Sequence, residues 1–132
     1  MDREPVAWPD PRAAAPPELA RLTWGADARA CGLDDDVARA DDPTLAWRGL
    51  ALAAGPATRC FGRVVARVEL GFVMGRLELV RVALDARAPG LTSALTSAGY
   101  TCHDEHFWVL EHDATRVEVD ALDGYAILSE VP

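Results

Sequence analysis

The stretch "TCHDEHFWVLEHD", residues 101–113, could support short-range chemistry because it holds all three histidines and one of the three cysteines of the chain. Cys102, His103 and His106 are of the residue types that bind zinc or form a thiol–imidazole pair. Zinc needs three or four ligands that converge at about 2.0–2.3 Å, usually from separate elements, and the chain has no second Cys/His cluster. We therefore expect no metal and no cofactor. A metal-binding protein or enzyme that uses Cys102, His103 and His106 is the alternative hypothesis.

A catalytic thiol at Cys102 is also disfavoured by its surroundings. Neighbouring residues of an extended chain point apart, and an activated thiolate needs a helix N-terminus or basic neighbours, whereas Asp104 and Glu105 are acidic. We expect no catalytic residue and no enzyme activity. The segment is predicted to be a helix-to-strand connection from Gly99 to Glu105, followed by a strand that carries Trp108.

Residues 60–73 show the clearest strand pattern, since apolar and polar residues alternate with a period of two, as in a half-buried antiparallel strand. The predicted core-facing residues are Cys60, Val64, Ala66, Val68, Leu70 and Phe72. Arg63, Arg67 and Glu69 are predicted to face solvent. "VMGR" predicts a turn, and "RLELVRVALDA" predicts the returning strand of a hairpin. The apolar phase shifts in that strand, which predicts a β-bulge near Leu79 and Val80.

The remaining elements define the fold class. "PGLTSALTSAGY" predicts an amphipathic helix, short helical pieces are expected in residues 18–33, and a strand in residues 44–52. "HFWVLEH", "TRVEVDAL" and "YAILSE" predict three further strands joined by short turns. The order predicts an α+β fold, an antiparallel sheet of hairpin-connected strands with short helices packed on one face. Residues 18–132 are expected to form this single domain.

Residues 1–17 are predicted to form a Pro-rich N-terminal arm, since five prolines there exclude regular helix or sheet. Proline lowers the entropy lost on docking, and Trp8 offers a large ring that could fill a groove on its own domain or on a partner. We expect Trp8 to be the anchor of a docked arm, with Val6 beside it, and both are candidate partner-binding residues.

Charge narrows the function classes. The net charge of −8 and the isoelectric point near 4.7 disfavour nucleic acid and anionic membranes and favour a basic protein partner. Asp34, Asp35 and Asp36 are candidate partner-binding residues, although a solvated acidic loop would have the same sequence. The sequence has no apolar run of about 20 residues, and its first residues lack the basic start and apolar stretch expected of a signal peptide. We therefore expect that the protein does not insert into a membrane and that it is cytoplasmic. If a signal peptide was removed from the sequence, a periplasmic location is expected instead.

Cysteine and tryptophan usage adds two expectations. Cys31, Cys60 and Cys102 lack metal-site spacing and are expected to be reduced and packed as small apolar residues, with a Cys60–Cys102 disulfide possible in an exported protein. The tryptophans at positions 24, 47 and 108 are expected in or beside the core, and any that is exposed becomes a candidate for protein binding. The absence of Lys, Asn and Gln indicates a GC-rich bacterial genome.

The succession of motifs is similar to a pattern in small bacterial domains. "RLTWGADARACGL" is followed by "FGRVVARVELGFVMGRLELVRVAL", then by "LTSALTSAGY" and a strand that contains Trp108. This layout, over residues 20–129, resembles the outer-membrane assembly lipoproteins of the SmpA/OmlA type and β-lactamase inhibitor protein. The resemblance implies a non-catalytic protein-binding module, such as an inhibitor or immunity-like protein, an adaptor or an assembly subunit.

Overall fold

A computed structural model describes residues 4–33, 45–53, 58–84 and 90–131. Within these ranges the chain forms two helices and eight strands. Their bounds are α1 Pro17–Ala20, β1 Ala46–Leu50, β2 Arg59–Cys60, β3 Arg63–Val73, β4 Arg76–Leu84, α2 Leu91–Ser97, β5 Thr101–Cys102, β6 Phe107–His112, β7 Thr115–Asp120 and β8 Tyr125–Glu130. All strand pairs are antiparallel, in the order β1-β3-β4-β8-β7-β6-β5, with β2 also paired to β3.

The antiparallel sheet confirms the predicted strand plan, but the described chain is mostly sheet, with less helix than an α+β fold suggests. The helices have only four and seven residues. Residues 27–33 form turns: the Asp27 carboxylate accepts a hydrogen bond from the Ala30 amide at 2.8 Å, and Gly32 ends the segment with φ +82°. The predicted helical piece in this segment is therefore a series of turns and not a helix.

The β3–β4 hairpin contains two irregularities, of which one was predicted. Gly71 lies opposite Leu79 and Phe72 opposite Leu77, so Glu78 is the extra residue of a bulge next to the predicted position. The second irregularity makes Ala66 the extra residue on β3.

The bulge at Ala66 corrects the assignment of faces in the first half of β3. Val65 and Arg63 are buried, Arg63 with only 5% of its surface exposed, whereas Ala66 is exposed. Val68 and Leu70, beyond the bulge, are fully buried as predicted, while Arg67 is exposed and Glu69 is half-buried. An extra residue reverses the side on which every earlier side chain lies.

One continuous core lies against one face of the sheet, which we call the inner face. Directly paired residues of an antiparallel sheet share a face. From β3 to β6, the buried inner-face residues are Val68, Leu70, Phe72, Leu77, Val80, Val82, Ala126, Leu128, Val117, Val119 and Trp108. Leu19 of α1 and Leu91 and Leu95 of α2 belong to the same core.

Residues 4–17 of the Pro-rich arm are docked on their own domain, and Trp8 and Val6 are buried in this core. The Val6 amide donates a hydrogen bond to the Leu22 carbonyl at 3.0 Å. The buried Thr115 hydroxyl accepts hydrogen bonds from the Ala7 amide and from the Trp24 indole, at 3.0 and 3.3 Å. These contacts make residues 4–17 part of the fold.

Two cysteines follow the prediction and one does not. Cys31 and Cys60 are buried, but Cys102 is exposed in β5, and none of the three is in a disulfide. Burial, with a smaller effect of Asp27, raises the pKa of the Cys31 thiol to about 11.

In the part of the chain that the structure describes, no helix is long and apolar enough to cross a membrane.

Candidate functional site

The predicted connection from Gly99 to Glu105 joins α2 to β6 but contains the short strand β5, which pairs with β6. The structure does not gather the side chains of the histidine-rich segment into one site. The exposed Cys102 thiol donates to the Asp104 carbonyl at 2.6 Å, whereas His106 Nδ1 lies 3.0 Å from an Asp120 carboxylate oxygen. His103 is exposed. Among the described residues, no group of three or more His, Cys, Asp or Glu side chains could hold a metal ion. Cys102, His103 and His106 therefore do not form a ligand set in this conformation.

The predicted partner-binding residues fall in two different places. Trp8 and Val6 are almost fully buried against their own domain, so a partner cannot reach them in this conformation. Asp34, Asp35 and Asp36 lie outside the described residues. A binding surface on the described part of the chain must therefore be sought elsewhere.

The side of the sheet opposite the core, which we call the outer face, carries partly exposed aromatic and charged residues. Trp47 lies opposite Gly71, which lies opposite Leu79, and Glu69 lies opposite Arg81 in the neighbouring row. From β1 to β6, the outer-face residues include Trp47, Glu69, Arg67, Gly71, Leu79, Arg81, Tyr125, Ile127, Glu118, Val109 and Phe107. Most of them are half-buried, and Arg67 is exposed.

Gly71 allows Trp47 to lie close against the outer face. A Cβ atom at position 71 would be 3.0 Å from the Trp47 ring, 3.1 Å from Leu45 and 3.1 Å from Leu79. Leu45 is an exposed large apolar side chain at this corner of the sheet. The missing side chain thus leaves a shallow seat at Gly71 that Trp47, Leu45 and Leu79 surround, while Trp47 and Leu45 remain partly accessible.

Two arginines join this seat to the centre of the outer face. The Arg81 guanidinium carbon lies 4.1 Å from the centroid of the Trp47 ring and 5.6 Å from that of Tyr125, within cation–π range. Arg67 donates a hydrogen bond from Nη2 to the Tyr125 hydroxyl at 2.8 Å. Both arginines contact the Glu69 carboxylate, at 3.1 Å for Arg67 and 2.9 Å for Arg81. We call Arg67, Glu69, Arg81, Trp47 and Tyr125 the arginine–aromatic cluster.

Glu69 is ionised within this cluster. Partial burial acts to raise the pKa of the carboxyl, but hydrogen bonds from Arg67 and Arg81 outweigh it and lower the pKa below the ordinary value of 4.5. The cluster therefore contains two positive charges and one negative charge at neutral pH.

A second polar group, at the base of the arm, is structural in character. The buried Asp10 carboxylate accepts hydrogen bonds from the amides of Phe61 and Arg12, at 2.8 and 3.0 Å. The Tyr100 hydroxyl donates to the Pro9 carbonyl. Burial, with smaller effects of Cys60 and Asp10, raises the pKa of Tyr100, so the hydroxyl keeps its proton. The Phe61 contact attaches the arm to the β2–β3 turn and the Tyr100 contact attaches it to the segment after α2, whereas the Arg12 hydrogen bond lies within the arm.

The arginine–aromatic cluster was not identified from the sequence, although one signal for it was present. The sequence predicts Trp47 in or beside the core, and a tryptophan that is exposed instead is a candidate for protein binding. The alternation in β3 placed Arg67 and Glu69 outward. The pairing of Trp47 with Gly71 and of Arg81 with Glu69 depends on strand register, which a single sequence leaves undetermined.

Comparison of the chain with protein-family models, curated proteins and solved structures found no match. The resemblance to lipoproteins of the SmpA/OmlA type and to β-lactamase inhibitor protein thus stays a prediction.

Proposed function

We propose that the protein is a non-catalytic protein-binding module that contacts its partner through the outer face, with the arginine–aromatic cluster at the centre. The observation that carries this proposal is the position of Trp47, seated over Gly71 and stacked on Arg81 while partly accessible. Trp, Tyr and Arg are the residue types most enriched among the few that dominate interface energies. The cluster brings all three types together.

The difference in accessibility between the two faces supports this proposal. In this proposal the arm and both short helices cover the inner face, where Leu19, Leu91 and Leu95 join the core. The outer-face residues Leu79 and Ile127 are half-buried apolar side chains beside the cluster. Apolar and aromatic area surrounded by polar groups is the ordinary composition of a protein-binding surface.

The partner is proposed to be a folded protein with a basic surface. The net charge of −8 attracts such a partner over a distance and raises the rate of encounter. Glu111, Glu118 and Asp120 lie on the outer face on β6 and β7, away from Trp47, and contribute to this negative charge. The proposal retains the cytoplasmic location expected from the sequence and the range from inhibitor or immunity-like protein to adaptor or assembly subunit.

Position-specific photo-crosslinking in the native host tests this function. A photoreactive phenylalanine analogue is introduced at Leu79 or at Ile127, and at Leu122 as the control, since Leu122 lies in the β7–β8 turn with 69% of its surface exposed. We expect the same basic protein to be captured from positions 79 and 127, and not from 122. The captured protein is then purified and tested for direct binding.

Two results would contradict the proposal. One is equal capture of the same protein from position 122, which would show contact without preference for the outer face. The other is capture that persists unchanged when Trp47→Ala is combined with the probe at position 79. A protein captured only once, without this dependence on position and on Trp47, does not count as support.

A further inference from the structure

The arginine–aromatic cluster contains more positive than negative charge at one point of an acidic protein. A single oxygen of Glu69, Oε1, accepts hydrogen bonds from Nε of Arg67 at 3.1 Å and from Nε of Arg81 at 3.0 Å. Nη2 of Arg81 lies 2.9 Å from the same oxygen. One carboxylate thus serves two guanidinium groups, which leaves a local excess of one positive charge.

Several guanidinium donors of the cluster have no acceptor among the described residues. Each guanidinium has five N–H bonds. Arg67 uses Nε and Nη2, toward Glu69 and Tyr125, and Arg81 uses Nε and Nη2 toward Glu69. Within the part of the chain that the structure describes, neither Nη1 group has a hydrogen-bond acceptor. Side-chain exposures of 52% for Arg67 and 27% for Arg81 leave both groups within reach of a ligand.

The aromatic rings hold these donors in place before any ligand arrives. The Arg81 guanidinium packs over Trp47 and near Tyr125, and Arg67 lies 5.7 Å from the centroid of the Tyr125 ring. A guanidinium that is already ordered loses less side-chain entropy when it binds. Its planar donors match the two oxygens of a carboxylate.

We infer that Arg67 and Arg81 together form a receptor for one carboxylate group of the bound protein, an Asp or Glu side chain that enters beside Trp47. This inference rests on the proposed function, because it names the group that the outer face recognises. The net charge of the protein attracts a partner that is basic overall, whereas the cluster selects one acidic side chain on that partner. A carboxylate is favoured over a phosphate dianion because the cluster has an excess of only one positive charge. The second negative charge of a phosphate dianion would be repelled by Glu69.

Small anions test the receptor without the partner. Acetate is the carboxylate probe and inorganic phosphate the competing probe, each titrated at constant ionic strength adjusted with sodium chloride. The NMR signals of the Arg67 and Arg81 Nε–H groups and of the Trp47 indole report binding. The Nε–H signal of Arg116 is the control, because Arg116 lies on the same face, its Nε is buried, and it lies 3.2 Å from a Glu118 carboxylate oxygen.

We expect acetate to shift the signals of the cluster saturably and to leave Arg116 unchanged. Glu69→Gln keeps an acceptor oxygen but removes the negative charge, and should tighten acetate binding about fivefold, the factor for one unit charge about 4 Å away in water. Arg67→Gln should abolish the saturable shift, and Arg81→Lys, which keeps the charge but loses the planar fork, should weaken it. A purely structural network would instead be loosened by Glu69→Gln, with no gain in binding.

The outcomes separate this inference from the proposed function. No saturable shift with acetate, or phosphate binding more tightly than acetate, overturns the carboxylate receptor. Once the crosslinked partner is purified, Arg67→Gln should weaken its binding about tenfold or more, and Arg116→Gln should not. If Trp47→Ala abolishes partner binding while Arg67→Gln has no effect, the outer face is the binding surface and only the receptor is wrong. If neither substitution matters, the proposed function fails as well.

Discussion

The inner and outer faces of the sheet are built from the same strands but differ in what their side chains contact. On the inner face, side chains such as Leu70 and Val82 are fully buried and belong to one core cluster with residues of the short helices and the N-terminal arm. On the outer face, Arg81 contacts Trp47, Tyr125 and Glu69, and these residues stay partly accessible. Under the proposed function, the large aromatic residues in this sheet serve two purposes, stability on one face and recognition on the other. Substitutions on the two faces should therefore have different consequences.

The largest loss of stability is expected from Trp8→Ala on the inner side. Trp8 is buried in the core, and removal of a buried Trp side chain typically costs about 3–5 kcal/mol. Trp8→Phe is the matched control, because it keeps an aromatic ring and removes an indole N–H that has no hydrogen-bond partner among the described residues. The free energy of unfolding, measured with denaturant, should fall strongly for Trp8→Ala and much less for Trp8→Phe.

Limited proteolysis at Arg12 provides a second check on the docked arm. Arg12 is exposed, but its amide is bound to Asp10, so cleavage in the isolated domain should be slow. Rapid cleavage of the isolated protein, or an unfolding energy unaffected by Trp8→Ala, would mean that the arm does not belong to the core.

Leu70→Ala and Arg67→Ala compare the two faces within one strand. Leu70 is fully buried, and its truncation should lower the free energy of unfolding by about 2–5 kcal/mol. Arg67 is half exposed, and its ion pair with Glu69 is on the surface, so Arg67→Ala should cost at most about 1 kcal/mol. Equal shifts of the denaturation midpoint for the two variants would show that the strand register is wrong.

Gly71→Ala should disturb the outer face with a moderate loss of stability. The added methyl group meets Trp47, Leu45 and Leu79 at 3.0–3.1 Å, and overpacking of this kind costs about 1–3 kcal/mol. The fluorescence of Trp47 should shift toward longer wavelength as the ring leaves its seat. Gly49→Ala is the control in the neighbouring strand, because no atom lies within 4 Å of the added group. An unchanged spectrum in Gly71→Ala would show that Trp47 is not seated over Gly71.

The smallest effect is expected when His103 and His106 are both changed to Ala. His103 is exposed, and His106 makes one partly exposed pair with Asp120, so the free energy of unfolding should fall by only about 0.5 kcal/mol. Metal content of the purified wild-type protein is measured in parallel. A loss of several kcal/mol in the variant, or one equivalent of tightly held zinc in the wild type, would support the alternative of a metal site around Cys102.

The strand plan was predictable because alternation is a local signal, as at Val68 and Leu70. The bulge at Ala66 was not, since Val64, Val65 and Ala66 are all apolar and the pattern has no visible break there. The docked arm was predictable only in outline, because proline excludes helix and sheet but does not specify which groove receives Trp8. The arginine–aromatic cluster depends on long-range pairing between β1, β3, β4 and β8, and no local signal reports that pairing.

Calorimetric titration of the purified crosslinked partner tests the central claim most directly, with Trp47→Ala and Leu122→Ala compared with the wild type. If the outer face is the binding surface, Trp47→Ala should weaken binding at least about 30-fold, the loss expected when a central interface tryptophan is removed. Leu122→Ala should bind like the wild type, although Leu122 is the more exposed apolar residue. Equal affinity of the wild type and Trp47→Ala, with both proteins folded, would contradict the account.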